Sequence, residues 1–140
     1  MTKIVVGVDG SPDSERALDW AIEEARLRGA EVVLVHSWIY PYVGPRTGIH
    51  EPYDDMKLEA ARTLDEIVGA AAERAGDVKL HPVLVEGSPA GELVREGADA
   101  LMIVLGSRGR GGFKSLLLGS TSHQVVHHAT CPVVVLRKPA

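Results

Sequence analysis

The sequence predicts an open, doubly wound α/β sheet in a single domain, and three observations point there. Five short apolar runs recur along the 140 residues, at Ile4–Val8, Val32–Val35, Leu80–Val85, Leu101–Leu105 and Val133–Leu136, most of them rich in β-branched residues. Four segments of helical periodicity lie between them. Four of the five runs are nearly continuous rather than alternating, as expected of parallel strands covered by helices on both faces. Right-handed crossovers then lay successive helices on the two faces of a mainly parallel, five-stranded sheet.

Each element has its own signal. After the first strand, Ser11 is placed to cap a helix that has Pro12 at its first position, carries Ala17, Leu18, Ala21, Ile22 and Ala25 on one face, and stops at Arg28-Gly29. The second strand is followed by an irregular stretch, Trp38–Tyr53, rich in Tyr, Pro and Gly and longer than most connections of this kind. It reads either as a lid or partner surface or as an ordinary excursion. The second helix aligns Ala60, Leu64, Ile67, Val68, Ala71 and Ala75 and ends at Gly76. His81 and Pro82 interrupt the third run and predict an edge strand. A short third helix follows Ser88-Pro89, and a fourth starts near Gly119-Ser120-Thr121, where Thr121 and Gln124 have the spacing of a capping box, and continues to about Ala129.

Composition narrows the function. A chain of this length makes one domain, residues 1–140, that buries roughly two thirds of its unfolded surface. A net charge of -4, without a basic block, offers no surface for nucleic acid. The stretch from Met1 to Asp9 turns polar too soon for a signal peptide and no apolar run reaches membrane-spanning length, so a cytoplasmic location and no membrane partner are expected. Cys131 is the only cysteine, which excludes an internal disulfide. His127 and His128 precede it closely, so a reactive thiol stands as the alternative to a structural one.

The chemistry concentrates after the fourth strand. From Gly106 to Ser122 the chain leaves a strand, crosses a loop holding Gly106, Gly109, Gly111, Gly112 and Gly119, and enters a helix through Ser120, Thr121 and Ser122. Glycines let backbone amides approach phosphate oxygens, the helix start supplies unsatisfied N–H donors, and Arg108, Arg110 and Lys114 add cationic reach. Alternatively these glycines only turn the chain and the hydroxyl run only caps the helix. The loop is neither a Walker motif nor a dinucleotide fingerprint: Lys114-Ser115 follows Phe113 rather than glycine, and Gly7-Val8-Asp9-Gly10-Ser11 stands after the first strand. Asp9, past the end of that strand, faces the crevice where such folds bind ligands, and serves either a ribose or metal-bound water or the turn before Gly10.

Gly106, two residues, Gly109, nine residues, Gly119 and then Ser120 form a pattern that resembles the universal stress protein family, specifically its ATP-binding members. Similar stretches run along nearly the whole chain: Val8-Asp9-Gly10-Ser11, Gly87-Ser88-Pro89-Ala90 and Cys131-Pro132-Val133-Val134-Val135. The resemblance implies the strand order 3-2-1-4-5 and a site of Gly7, Val8, Asp9, Val35, His36, Ser37, Leu105, Gly106, Arg108, Gly109, Gly119, Ser120, Thr121 and Ser122. In it Gly109, Gly119 and Ser120 would cradle phosphates, and Gly106 would let the loop pass close to ribose and phosphates. Asp9 would meet the sugar or a magnesium ion, and the base would sit near Val35, His36 and Ser37, with His36 read equally as a hydrogen-bonded core histidine.

The implied ligand is ATP, or ADP or AMP. The implied role is stress response or regulation through nucleotide-dependent binding of a protein partner, with a slow ATPase and a ligand-free adaptor as alternatives. No base for hydrolysis stands out. The last run is apolar on both faces and lies at the sheet's edge in the family's strand order, so a homodimer paired through it is expected. His123 and His127 lie four apart, a spacing that can offer two imidazoles to one metal, but no acidic residue stands between them as in a zincin helix.

Overall fold

The computed structural model describes residues 1–40, 52–108 and 118–138. Strands β1 (Lys3–Gly7), β2 (Glu31–Trp38), β3 (Leu80–Glu86), β4 (Met102–Gly106) and β5 (Val133–Leu136) alternate with helices α1 (Pro12–Arg28), α2 (Tyr53–Ala75), α3 (Pro89–Gly97) and α4 (Ser120–His128). The strands form one five-stranded sheet in the order β3-β2-β1-β4-β5, every neighbouring pair parallel, as expected. β3 stands at an edge, where Pro82 is tolerated.

Local chemistry explains most boundaries. The Ser11 side chain accepts from the Ser14 N–H at 3.2 Å with Pro12 just inside α1, and Gly29 closes the helix at φ 63°, the left-handed geometry that favours glycine. Asp13 and Glu15 in the first turn and Arg26 and Arg28 in the last complement the helix dipole. β2 runs past the expected Val35 because His36, Ser37 and Trp38 continue the ladder against Leu84, Val85 and Glu86. The ends of the irregular stretch are thereby structured. Trp38 closes β2, Tyr53 opens α2, and their rings lie 5.1 Å apart. Residues 41–51, on which the lid reading falls, lie outside the described residues.

The capping box expected at Thr121 and Gln124 is not what starts α4. Gly119 takes the N-cap position without a side-chain bond, and Thr121 is already helical. The reason is that the Gly119 N–H is held at 2.6 Å by the Ser107 carbonyl, which returns the chain to the sheet and begins the helix at Ser120.

Two apolar clusters sandwich the sheet. On one face Ile4, Val6, Val32, Leu34, Met102 and Val104 pack with the α1 stripe and with Leu64, Ala71 and Ala75 of α2. On the other, Val5, Val33, Val35, Ile103 and Leu105 pack with Ala90 and Leu93 of α3 and Val125 of α4. Consecutive strand residues thus divide between the faces, and full burial of each leucine, isoleucine or valine contributes about 1.5–3 kcal/mol. The chain runs from β1 outward to β3, then returns to β4 on β1's other side. That reversal opens a crevice at the carboxyl ends of β1 and β4.

Packing on the second face is close at Gly97, where a Cβ would meet the Ile103 side chain at 2.5 and 2.6 Å, whereas one at Gly91 would meet nothing within 4 Å. Gly97→Ala is expected to lower the unfolding free energy by about 1–3 kcal/mol. Gly91→Ala on the same helix is expected to raise it by about 0.4–1 kcal/mol. Urea titration of the two variants checks the contrast, and equal midpoints would refute it.

Candidate functional site

A cavity of about 120 Å³ opens at the carboxyl ends of β1, β2 and β4. Its wall is apolar where Val8, Val35, Leu93 and Leu105 meet and polar where Asp9, Ser14, Ser37, Arg108, Thr121 and Ser122 reach it. Gly7, Gly106 and Pro89 complete the lining. Clefts that enclose drug-sized ligands run to about 300–1,000 Å³. A volume of about 120 Å³ therefore suits one end of such a molecule, with the rest extending beyond this wall.

Strand geometry selects which residues reach the cavity. Val35 and Ser37 point to the α3 face, so the residue between them points away. His36, expected either beside the base or as a hydrogen-bonded core histidine, is absent from the lining, and its Nδ1 lies 2.8 Å from the Val8 carbonyl. With the Val8 N–H donating to the Val35 carbonyl at 2.9 Å, it fastens the β1–α1 turn to β2. In that turn Asp9 Oδ1 accepts from the Ser11 N–H at 2.8 Å beside Gly10 at φ 80°, so Asp9 shapes the turn and lines the cavity at once. Ser14, buried under the turn, accepts from the Asp9 N–H at 3.2 Å and donates to the Ser11 carbonyl at 3.1 Å.

Gly7 and Gly106 are required by the protein's own packing. A Cβ at Gly7 would lie 2.8 Å from Leu105 Cδ2, and one at Gly106 would lie 2.8 Å from the Asp13 carbonyl oxygen and carbonyl carbon. β4 thus ends directly on the first turn of α1. The next residues tether the glycine-rich segment at its base. The Ser107 N–H donates to the Leu136 carbonyl at 2.8 Å, its hydroxyl donates to Asp13 at 3.3 Å, and its carbonyl accepts from Gly119. The Ser122 hydroxyl donates to the Gly106 carbonyl at 2.7 Å.

Of the residues expected at the site, Gly7, Val8, Asp9, Val35, Ser37, Leu105, Gly106, Arg108, Thr121 and Ser122 line the cavity. Gly119 and Ser120 stand at the start of α4 but outside that lining. Gly109, like Arg110 and Lys114, lies outside the described residues. Sequence reasoning missed Ser14, Pro89 and Leu93. Ser14 was signalled by its place three residues after the cap, and Leu93 by the apolar face of α3.

Cys131, partly buried, packs against the second apolar cluster, and burial pushes its pKa up, away from the thiolate that nucleophilic chemistry needs. Among the described residues no three His, Cys, Asp or Glu side chains gather as a metal centre. No helix is long and apolar enough to cross a membrane, again among the described residues.

These contacts have measurable consequences. Ser122→Ala removes a partly buried hydrogen bond to the Gly106 carbonyl, and a stability loss of about 1 kcal/mol by urea titration is expected. Because the Cys131 pKa is raised, its thiolate fraction at pH 8 is below that of a cysteine in an unfolded chain. A disulfide reagent should therefore label the native protein more slowly than the denatured one, and equal rates would contradict the burial argument.

The family model described as the universal stress protein family matches residues 1–137. A universal stress protein of Mycobacterium tuberculosis is 41% identical over 135 residues, which are 96% of this chain and 45% of that protein. The chain therefore spans less than half the length of that relative. A universal stress protein from Archaeoglobus fulgidus, solved in complex with dAMP, superposes with a TM-score of 0.71 at 31% identity, covering 96% of this chain and 97% of that one. A universal stress protein solved in complex with cAMP superposes with a TM-score of 0.70 at 26% identity, covering 96% of both chains.

Proposed function

The chain belongs to the universal stress protein family, and we propose that it is an adenine-nucleotide-binding module of that family that holds ATP, or its shorter relatives ADP and AMP. The observation that carries this reading is the cavity's polarity, apolar at Val8, Val35, Leu93 and Leu105 and polar toward Arg108 and the first turn of α4. An adenine ring suits the first region. Phosphates suit the second, where a guanidinium, two hydroxyls and the positive end of a helix converge. The two ligands held by the relatives, dAMP and cAMP, share an adenine and one phosphate. In this reading Gly109, Gly119 and Ser120 extend the phosphate cradle beyond the described cavity, and Asp9 faces the sugar or a magnesium ion. Magnesium is commonly held by one or two carboxylates together with phosphates and waters, so a single carboxylate at the cavity fits it.

Binding, rather than turnover, is the favoured activity, because among the described residues Asp9 is the only carboxylate in the lining and it already serves the turn at Ser11. Nucleotide occupancy would act through the glycine-rich segment, whose two ends are tied to α1, α4 and β5, and so on the surface offered to a protein partner in a cytoplasmic stress response. A second copy would pair along β5, an edge strand whose four residues are all partly exposed.

Denaturing the purified protein and chromatographing the supernatant should release an adenine nucleotide, or calorimetry with ATP and magnesium should show one site per chain. Ser37→Phe places a ring in the cavity from the strand that forms its wall, and loss of nucleotide binding with an unchanged melting temperature of the nucleotide-free protein is expected. Full affinity in that variant would move the base elsewhere. Phosphate release abolished by Asp9→Asn would instead establish an enzyme.

A further inference from the structure

α4 carries a second constellation on its exposed side. The helix buries Ser122 and Val125 and leaves His123 and His127 exposed. Residues four apart on a helix stand on one face, and these two imidazoles already meet edge to face with centroids 4.6 Å apart. His128 projects about 100° further round the helix, and its ring lies 6.3 Å from that of His127.

We propose that His123 and His127 chelate one divalent metal ion of the zinc and copper class, with water completing the coordination. Imidazole nitrogens are preferred ligands of these ions and bind zinc at about 2.0–2.1 Å. Rotation about the side-chain torsions turns the two rings from mutual contact to a shared ion, and both lie where water can fill the remaining positions. The chelate also has a structural effect. α4 has nine residues and a glycine N-cap that makes no side-chain bond, and helices shorter than about 12–15 residues are marginal by themselves. An ion held between residues 123 and 127 spans one turn and ties the first half of the helix to the second.

The experiment uses untagged, metal-stripped protein and zinc chloride alone. Calorimetry should show one zinc per chain, and zinc should raise the melting temperature by mass action. Binding and the thermal shift should be lost in His123→Ala and in His127→Ala and retained in His128→Ala, with circular dichroism verifying that each variant is folded. Absence of heat up to millimolar zinc, or binding that survives the double variant at residues 123 and 127, would overturn the site. The outcome is independent of nucleotide binding, because neither histidine lines the cavity.

Discussion

The carboxyl end of β4 is held from three directions, and the site depends on that hold. Gly106 has no side chain because the Asp13 backbone occupies the space, Ser107 reaches Leu136 and Gly119 through its backbone, and Ser122 returns to the Gly106 carbonyl. Together these contacts join α1, α4 and β5 to one strand end. Each is individually modest, since a neutral hydrogen bond contributes about 1 kcal/mol. Their effect is geometric: the chain can leave the sheet at Ser107 and return at Gly119 in one arrangement, with Thr121 and Ser122 facing the cavity.

The described wall of the cavity is a product of the sheet and of the helices packed on it. The cavity's apolar half comes from side chains of strands and of α3, elements with buried faces and fixed registers. Precision therefore comes from the sheet. The two ends of the glycine-rich segment, Ser107 and Gly119, are fastened to the same framework.

Much of the architecture was legible because burial leaves a periodic trace. The α1 stripe, the caps at Ser11 and Gly29 and the edge position of β3 each follow from local residue chemistry. The place of the cavity was legible from the strand ends, at Asp9 and at Gly106. What escaped was tertiary. His36 follows an apolar run that reads as ending at Val35, which leaves open a place beside the base or in a core hydrogen bond, and only the continued ladder turns its ring toward Val8. Thr121 has the spacing of a cap, but a long-range bond from Gly119 to Ser107 moves the helix start. Ser14, Pro89 and Leu93 reach the cavity only because α1 and α3 converge on it from opposite faces of the sheet.

The two rims of the sheet are chemically unlike. On the β3 rim Pro82 lacks a backbone donor, and an incoming strand would find an interrupted ladder there, whereas β5 contains no proline along its length. An added strand would therefore find one main-chain donor fewer on the β3 rim, and that gap disfavours open-ended growth through that side of the sheet.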